Sequence, residues 1–449
     1  MTPNIPTLNA DQANAMKSIN AFLIGGQREF LITGGPGVGK TFTTSEIVRT
    51  VRKTLQNYAA AMGKKYVPME LVLTSTTNKA AAVLEEQTGH PTSTVHSYLG
   101  VIPSKDYQTG ATKLKRTNMY RVRSNTILLI DEASMIDNSL HRLLKEAMDD
   151  TCKIIYVGDK NQLPPVMEKL SRAMDLASNS ASHYEITTPV RNAGAPALMD
   201  LCNRLRQDIL NETDKNQLTN WPQVPGEIEY MDGQEFQTFV NATYGPGGLV
   251  QATDAEMKCR ILCYTNRSVI GYNKHIRTLR GLPEQPTPGE FLICNSHYSI
   301  SRSVALNVEE EVRIEKLNAE KEIEVDAYNK IVAIPIEIAS ASKGRHVVNM
   351  AKNPADVEHL LKLYKASKQW PAFFKLKEMF IDLRNREAST VYKAQGSTYE
   401  SVVMVMNDIF SSRDLNQLRR MLYVGASRAK SKVYLYDNGI HTNDRGIYK

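Results

Sequence analysis

Short apolar runs and longer amphipathic stretches alternate along the first half of the chain. FLITGGPG (30–37) reads as a strand ending in a Gly-rich turn, and TFTTSEIVRTVRKTLQNYAAAM (41–62) as a long helix. LVLTSTT (71–77) is strand then loop, and NKAAAVLEEQTG (78–89) is helical. TILLIDE (126–132), LHRLLKEAMDD (140–150) and CKIIYVGD (152–159) continue the rhythm as strand, helix, strand. Strands separated by helices predict a parallel α/β sheet, and the unbroken runs LLI and IIYV suit strands covered on both faces. The rhythm restarts with RILCYTN, RSVIGYNKHIRTLRG, SVVMVMND, DLNQLRRMLYVGASRA and KVYLY. The pattern therefore predicts two α/β domains in tandem, residues 1–190 and 191–449.

Two segments break the pattern and read as insertions. Residues 97–124 are polar, basic and Tyr-bearing. Residues 284–386 hold FLICNS, EEVRIEKL, KEIEVDAY and KIVAIPIEIAS, short strands of a small β-barrel, followed by the helical AKNPADVEHLLKLYKASKQ. No internal repeat and no low-complexity tract is visible.

Composition changes this picture little. With 449 residues, 42% hydrophobic and 23% charged, the chain is an ordinary globular protein too long for one core. No apolar run is long enough to span a bilayer, and MTPNIPTLNADQANAM lacks the basic start and apolar core of a secretory signal. Cys152, Cys202, Cys259, Cys263 and Cys294 form no CxxC pair, which predicts reduced thiols in a cytoplasmic protein and no structural zinc. A net charge of +7 is compatible with a polyanionic partner without establishing one.

The candidate chemistry begins at Gly34. GGPGVGKT fits GxxxxGK[ST] between a strand and a helix, so the turn formed by Gly35, Pro36, Gly37, Val38 and Gly39 can wrap phosphates with its backbone N–H groups and the helix N-terminus, with Phe42 just inside the helix. Lys40 would reach the β and γ phosphates of ATP, and Thr41 would ligate Mg²⁺. LLIDEAS delivers Asp131 and Glu132 to a strand end: Asp131 can hold Mg²⁺, and Glu132 can orient or deprotonate the attacking water. A later strand ends in Asp159 and Gln162, and Gln162 could sense the γ-phosphate. Gln12 in LNADQ could pair with adenine. Arg191 in TPVRN and Arg428 in YVGASR are candidates for positive charge at the transition state, although a lone Arg is more often a surface charge.

The ordered set LNADQ, GGPGVGKT, TTNKAA, STVHSYL, DEAS, GDKNQLPPV, TPVRN, YTNRS, STVYKAQGSTYE and LYVGASRAK resembles the superfamily 1 DNA helicases, in spacing and order their 5′-to-3′ branch with its Dda and RecD-type enzymes. The motifs span residues 8–430. The resemblance implies two RecA-like domains with Mg-ATP in the cleft, bound or hydrolysed by Lys40, Thr41, Asp131, Glu132 and Gln162. Arg191 and Arg428 would reach the γ-phosphate. Single-stranded DNA would lie across both domains, touched by Thr77, Asn78, His96, Tyr98, Asn266, Tyr392, Gln395, Gly396 and Thr398, with Glu400 coupling the two sites. The first insertion resembles a strand-separating pin and the second an SH3-like barrel. Partners implied are single-stranded and forked duplex DNA, with a single-strand DNA-binding protein as a further one, for a monomer in a bacterial or phage-infected cell. A translocase that strips proteins from single strands, or a DNA-binding switch or loader that does not move, would carry many of the same residues.

Two positions depart from that family's pattern. Tyr392 stands where His is usual, so a His-dependent role does not transfer; the ring either packs beneath its loop or stacks on a base. Ser75-Thr76-Thr77 replaces Ala-Pro-Thr, adding hydroxyls that either contact phosphate or do nothing. Tyr98, Tyr107 and Tyr120 could stack or wedge, or pack on the domain. Lys113, Lys115, Arg116, Arg121 and Arg123 could line a duplex path or form a solvated face.

Overall fold

The computed structural model describes residues 7–437, apart from 107, 111, 166–167, 169, 191–193, 219–220 and 302–303. The first rhythm forms a six-stranded sheet in which every neighbour is parallel. Its order is Thr92–Thr94, Glu70–Ser75, Thr126–Asp131, Lys153–Gly158, Glu29–Gly34, His183–Ile186. The central strands are the continuous apolar ones, and Leu128, Leu129, Ile155 and Val157 are fully enclosed, as a sheet covered on both faces requires.

A second parallel sheet runs Ala388–Thr390, Cys259–Cys263, Tyr399–Val405, Ala429–Tyr436, Ile228–Met231. The helix Pro196–Leu210 packs into this second core through Leu198, Leu201 and Leu205, although it follows the last strand of the first sheet in sequence.

The interruption of the second sheet forms an antiparallel sheet. Lys330–Ser340 pairs Gly344–Ala351 on one side and, on the other, both Lys321–Glu324 and Glu311–Leu317; Phe291–Cys294 and Leu383–Arg384 follow beyond Glu311–Leu317. Gly344–Ala351 and the helix Trp370–Met379 are elements the sequence pattern did not separate from their neighbours. Buried arginines pair with carboxylates along the seam between this sheet and the second parallel one: Arg260 with Glu309, Arg277 with Glu290, Arg280 with Glu387 and Arg386 with Glu311. Within the first interruption, Val101–Lys105 and Thr112–Arg116 make an antiparallel hairpin. Its turn residue Gly110, at φ 73°, abuts the second interruption: a β-carbon there would sit 2.5 Å from the Trp370 ring.

The structure also reveals a repeat that residue-by-residue reading missed. Each parallel sheet has a three-residue edge strand ending in Ser-Thr, Thr92–Thr94 in one and Ala388–Thr390 in the other. The registers match, with Ser75 opposite Thr94 and Cys263 opposite Thr390. In both, the Thr side chain then caps a one-turn helix, Val95–Leu99 or Val391–Ala394. The next strand in each sheet likewise ends in a Thr cap, Thr77 for Asn78–Thr88 and Thr265 for Asn266–Leu279. The sequence identity is confined to Ser-Thr-Val at one cap and Thr-Asn at the other, too short to be seen as a repeat.

Candidate nucleotide and nucleic-acid site

The P-loop links the strand Glu29–Gly34 to the helix Lys40–Ala61. Gly37 (φ 74°) and Gly39 (φ 81°) hold left-handed backbone, and Gly39 also has Gln12 Nε2 where a β-carbon would be, 2.4 Å away. Lys40 Nζ donates to the carbonyls of Gly34 (2.8 Å) and Gly35 (2.9 Å), so the ammonium is held over the loop's concave side. Gln12 lies against this loop with its amide hydrogen-bonded at both ends. Its Oε1 accepts from Asn9 N–H in a capping box, and its Nε2 donates to Val38 O. The neighbouring Asp11 has a structural job. Burial pushes its carboxyl up, but the N–H groups of Thr188 and Thr187 and the Tyr184 hydroxyl outweigh this and bring it down to about 2. Asp11 thereby holds the segment whose Val190 N–H donates to Gly37 O. Arg191 lies outside the described residues.

Asp131 ends its strand, and Glu132 follows in the left-handed region at φ 53°, unusual for a residue with a β-carbon. Burial raises the Asp131 carboxyl, and the adjacent Glu132 raises it further, against the pull of Glu132 N–H and Lys40. Glu132 Oε2 is buried without a hydrogen-bond partner among the described residues. Two crowded carboxylates near one lysine are a site that gains from an added cation. The Ser75 and Thr76 hydroxyls reach these residues, donating to Asp131 O (3.4 Å) and Glu132 O (3.3 Å). The hydroxyls that replace Ala-Pro therefore tie one loop to the other.

Contacts cross from the second sheet's elements to Asp159–Gln162. Gln395 Nε2 donates to Gln162 Oε1 at 3.0 Å, and both side chains are buried. Helix Leu415–Ala426 presents three residues at spacing i, i+3, i+6 on one face. Gln417 Nε2 donates to the Tyr392 hydroxyl at 2.8 Å, Arg420 Nη1 donates to the carbonyls of Lys160 and Gln162, and the Tyr423 hydroxyl donates to the buried Asp159 carboxylate. Arg420 and Tyr423 were not singled out in the sequence, although that helical spacing on LNQLRRMLYVGA was a signal for them. Arg428 is turned onto its own domain, donating to Val424 O and Ser397 O.

The residues assigned to DNA divide into two groups. Asn78, Asn266 and Thr398 are exposed, the first two at the N-termini of the helices that Thr77 and Thr265 cap. Thr77 is half-buried, with its hydroxyl accepting from Ala80 N–H. Asp408 was missed by sequence reasoning. It fixes the Thr265 loop by accepting from Tyr264 N–H, Thr265 N–H, the Thr265 hydroxyl and the Ser268 hydroxyl. His96 is half-buried, and burial lowers its imidazole against the opposing pull of Asp137.

The other residues are turned inward. Tyr98 packs against the first core with Arg123 over its ring, so that face is not free. Gln395 faces Gln162 rather than the surface. Gly396 has open space where a β-carbon would be, so its φ of 79°, and not close approach, is what calls for glycine. Tyr392 is half-buried, with its ring packed against the second core. In the basic cluster, Lys113 pairs with Asp106, and Arg116 pairs with Glu146 and lies over Tyr120. Tyr107 is outside the described residues.

A P-loop on a parallel sheet, an Asp-Glu pair near it at a strand end and a second parallel domain bonded across to them are the features of a two-domain P-loop nucleoside triphosphatase. Residues 20–168 match the AAA domain model, and residues 387–436 match the UvrD-like helicase C-terminal domain model. The chain is 23% identical to the ATP-dependent DNA helicase Dda of Enterobacteria phage T4, over 95% of this chain and 98% of that one. It is 33% identical over 159 residues to the ATP-dependent RecD2 DNA helicase of Deinococcus radiodurans, covering 35% of this chain and 18% of that longer protein. A Pif1 helicase from Bacteroides in complex with ADP-AlF3 and ssDNA aligns over 96% of this chain and 92% of its own, with 13% identity and a TM-score of 0.48. These matches make the chain similar to the superfamily 1 ATP-dependent DNA helicases. No helix among the described residues is long and apolar enough to cross a membrane.

Proposed function

We propose that the chain moves 5′ to 3′ along single-stranded DNA and unwinds duplex DNA, driven by ATP hydrolysis in the cleft between its two parallel-sheet domains. The observation that carries this reading is the Gln395–Gln162 hydrogen bond. It joins the loop after the second sheet's edge strand to the strand end beside the P-loop, so what grips DNA and what senses nucleotide share one bond.

In this reading the P-loop N–H groups and Lys40 bind the ATP phosphates, and Glu132 orients the attacking water. Thr41 and Asp131 would hold Mg²⁺, which neutralises charge on the phosphates; the raised Asp131 carboxyl and the unpartnered Glu132 oxygen fit such a cation. Arg191 and Arg428 supply further positive charge once the cleft closes, and Arg428 must leave Ser397 O to do so. Exposed Asn78, Asn266 and Thr398 contact backbone phosphates, which grips DNA without reading its sequence. Closure of the domains alternates their hold on the strand. The hairpin at Val101–Arg116 serves as the strand-separating pin and the antiparallel sheet as an SH3-like barrel. The enzyme works as a monomer on single-stranded and forked DNA, in the cytoplasm of a bacterial or phage-infected cell.

The test is unwinding of 5′-tailed against 3′-tailed duplexes with ATP and Mg²⁺. Preference for the 5′ tail supports the reading, and preference for the 3′ tail overturns the direction. Glu132→Gln should still bind ATP but not unwind; normal unwinding by that variant contradicts the site.

A further inference from the structure

Helix Pro196–Leu210 belongs to the second core, yet one of its side chains lies on the P-loop. A β-carbon added to Gly35 would be 3.1 Å from Arg206 Nη1 and 3.5 Å from Arg206 Cζ. Gly35 is also the residue whose carbonyl accepts from Lys40 Nζ. Two cations from different domains thus converge on one glycine of the phosphate loop. The lysine of such a loop serves the β and γ phosphates, and Arg206 lies beside the same glycine that this lysine holds.

The arginine is held there but not saturated. Its side chain is 12% exposed, and Nη2 donates to Glu185 Oε1 at 2.6 Å. Nε is buried with no hydrogen-bond partner among the described residues. Glu185 is shared, with Lys160 Nζ 3.5 Å from its other oxygen, so the carboxylate keeps a cation if Arg206 leaves. A cleft of about 500 Å³ lined by Glu185, Thr187, Asn203, Arg206 and Gln207 gives the pair room to change partners.

We propose that Arg206 contacts the terminal phosphates of bound ATP from the second domain, exchanging its resting counter-ion Glu185 for the nucleotide. This rests on reading the P-loop as an ATP site. A buried donor without a partner gains a full charge-assisted hydrogen bond from such a move, and the second domain gains a direct reason to close on ATP and open on ADP. A purely structural role, in which Glu185 and the nearby Asp159 carboxylate hold the guanidinium, gives no preference for ATP over ADP, and the test below separates the two.

The test uses the full chain with single-stranded DNA. It measures steady-state ATPase and the binding of fluorescent ADP and of a non-hydrolysable ATP analogue. Arg206→Ala should lower kcat by about 10²–10³-fold, the usual loss when one preorganised transition-state donor is removed. It should also abolish the preference for the analogue over ADP while leaving ADP binding unchanged. Glu185→Gln should tighten analogue binding and not ADP binding, and Arg206→Lys should keep part of the preference. An unchanged kcat and an unchanged analogue-to-ADP preference in Arg206→Ala overturn the proposal. If that variant does not fold, unchanged analogue affinity in Glu185→Gln overturns it. A wild-type chain with no ATPase, or one whose ATPase survives Lys40→Ala, contradicts the ATP site itself and is told apart in that way.

Discussion

The edges of the two parallel sheets are built alike and used differently. In the first, Ser93-Thr94-Val95 leads to His96; in the second, Ser389-Thr390-Val391 leads to Tyr392. Both threonines cap the following turn, and both edge strands pair the neighbouring strand in the same register. Beyond the cap they diverge. His96 stays half-buried on a helix that ends at Gly100. Tyr392 packs into the second core, takes a hydrogen bond from Gln417, and is followed by Gln395, which reaches Gln162 across the cleft. The first sheet already carries the nucleotide loops, linked within the domain by Ser75 and Thr76 to Asp131 and Glu132. The second sheet has no P-loop, and its edge communicates by contact with the first. The shared Thr-capped frame is a holding device, and the residues after it decide what it is connected to.

That comparison can be broken at several points. Glu132→Gln strikes the chemistry that both edges serve, and kcat for ATP hydrolysis should fall by about 10²–10⁴-fold, as for loss of a positioned general base. Gln395→Ala removes the cross-cleft bond and leaves Gln162 Oε1 without its donor. Stimulation of ATPase by single-stranded DNA should drop by about 5- to 150-fold, the range of a typical coupling energy. Tyr392→Ala should cost about 2 kcal/mol in urea unfolding, less than a fully buried aromatic because the ring is half-exposed. Thr94→Ala and Thr390→Ala should each cost about 1 kcal/mol, and near-equal values would sharpen the equivalence of the two caps. Tyr392→Phe should be the mildest, about 1 kcal/mol or less, since only the Gln417 hydrogen bond is lost. A Tyr392→Phe loss as large as that of Tyr392→Ala would contradict the packing role.

Much of the fold was legible because its determinants are local. The apolar runs at Leu128 and Ile155 could only be covered strands, and Gly37, Gly39 and Lys40 form a phosphate loop through contiguous residues. What the sequence left open depends on how distant elements face each other. Gln395 reads as a polar loop residue, and nothing near it in sequence says that its amide meets Gln162. Gln12 reads as a free amide, whereas its oxygen accepts from Asn9 N–H and its nitrogen donates to Val38 O. Arg206 sits in an amphipathic helix where an arginine looks like a surface charge, and only the packing of that helix into the second core brings it to Gly35. Tyr392 was undecided because packing and stacking ask for the same ring. The short strand Gly344–Ala351 lacked contrast with its neighbours, being partly exposed along most of its length.

The account stands most directly on whether DNA bound along the edges changes hydrolysis in the cleft. Steady-state ATPase measured with and without single-stranded DNA, for the wild type and for Gln395→Ala, tests this in one experiment. The account predicts strong stimulation in the wild type and its loss in the variant. Equal wild-type rates with and without DNA, or full stimulation in the variant, would contradict it.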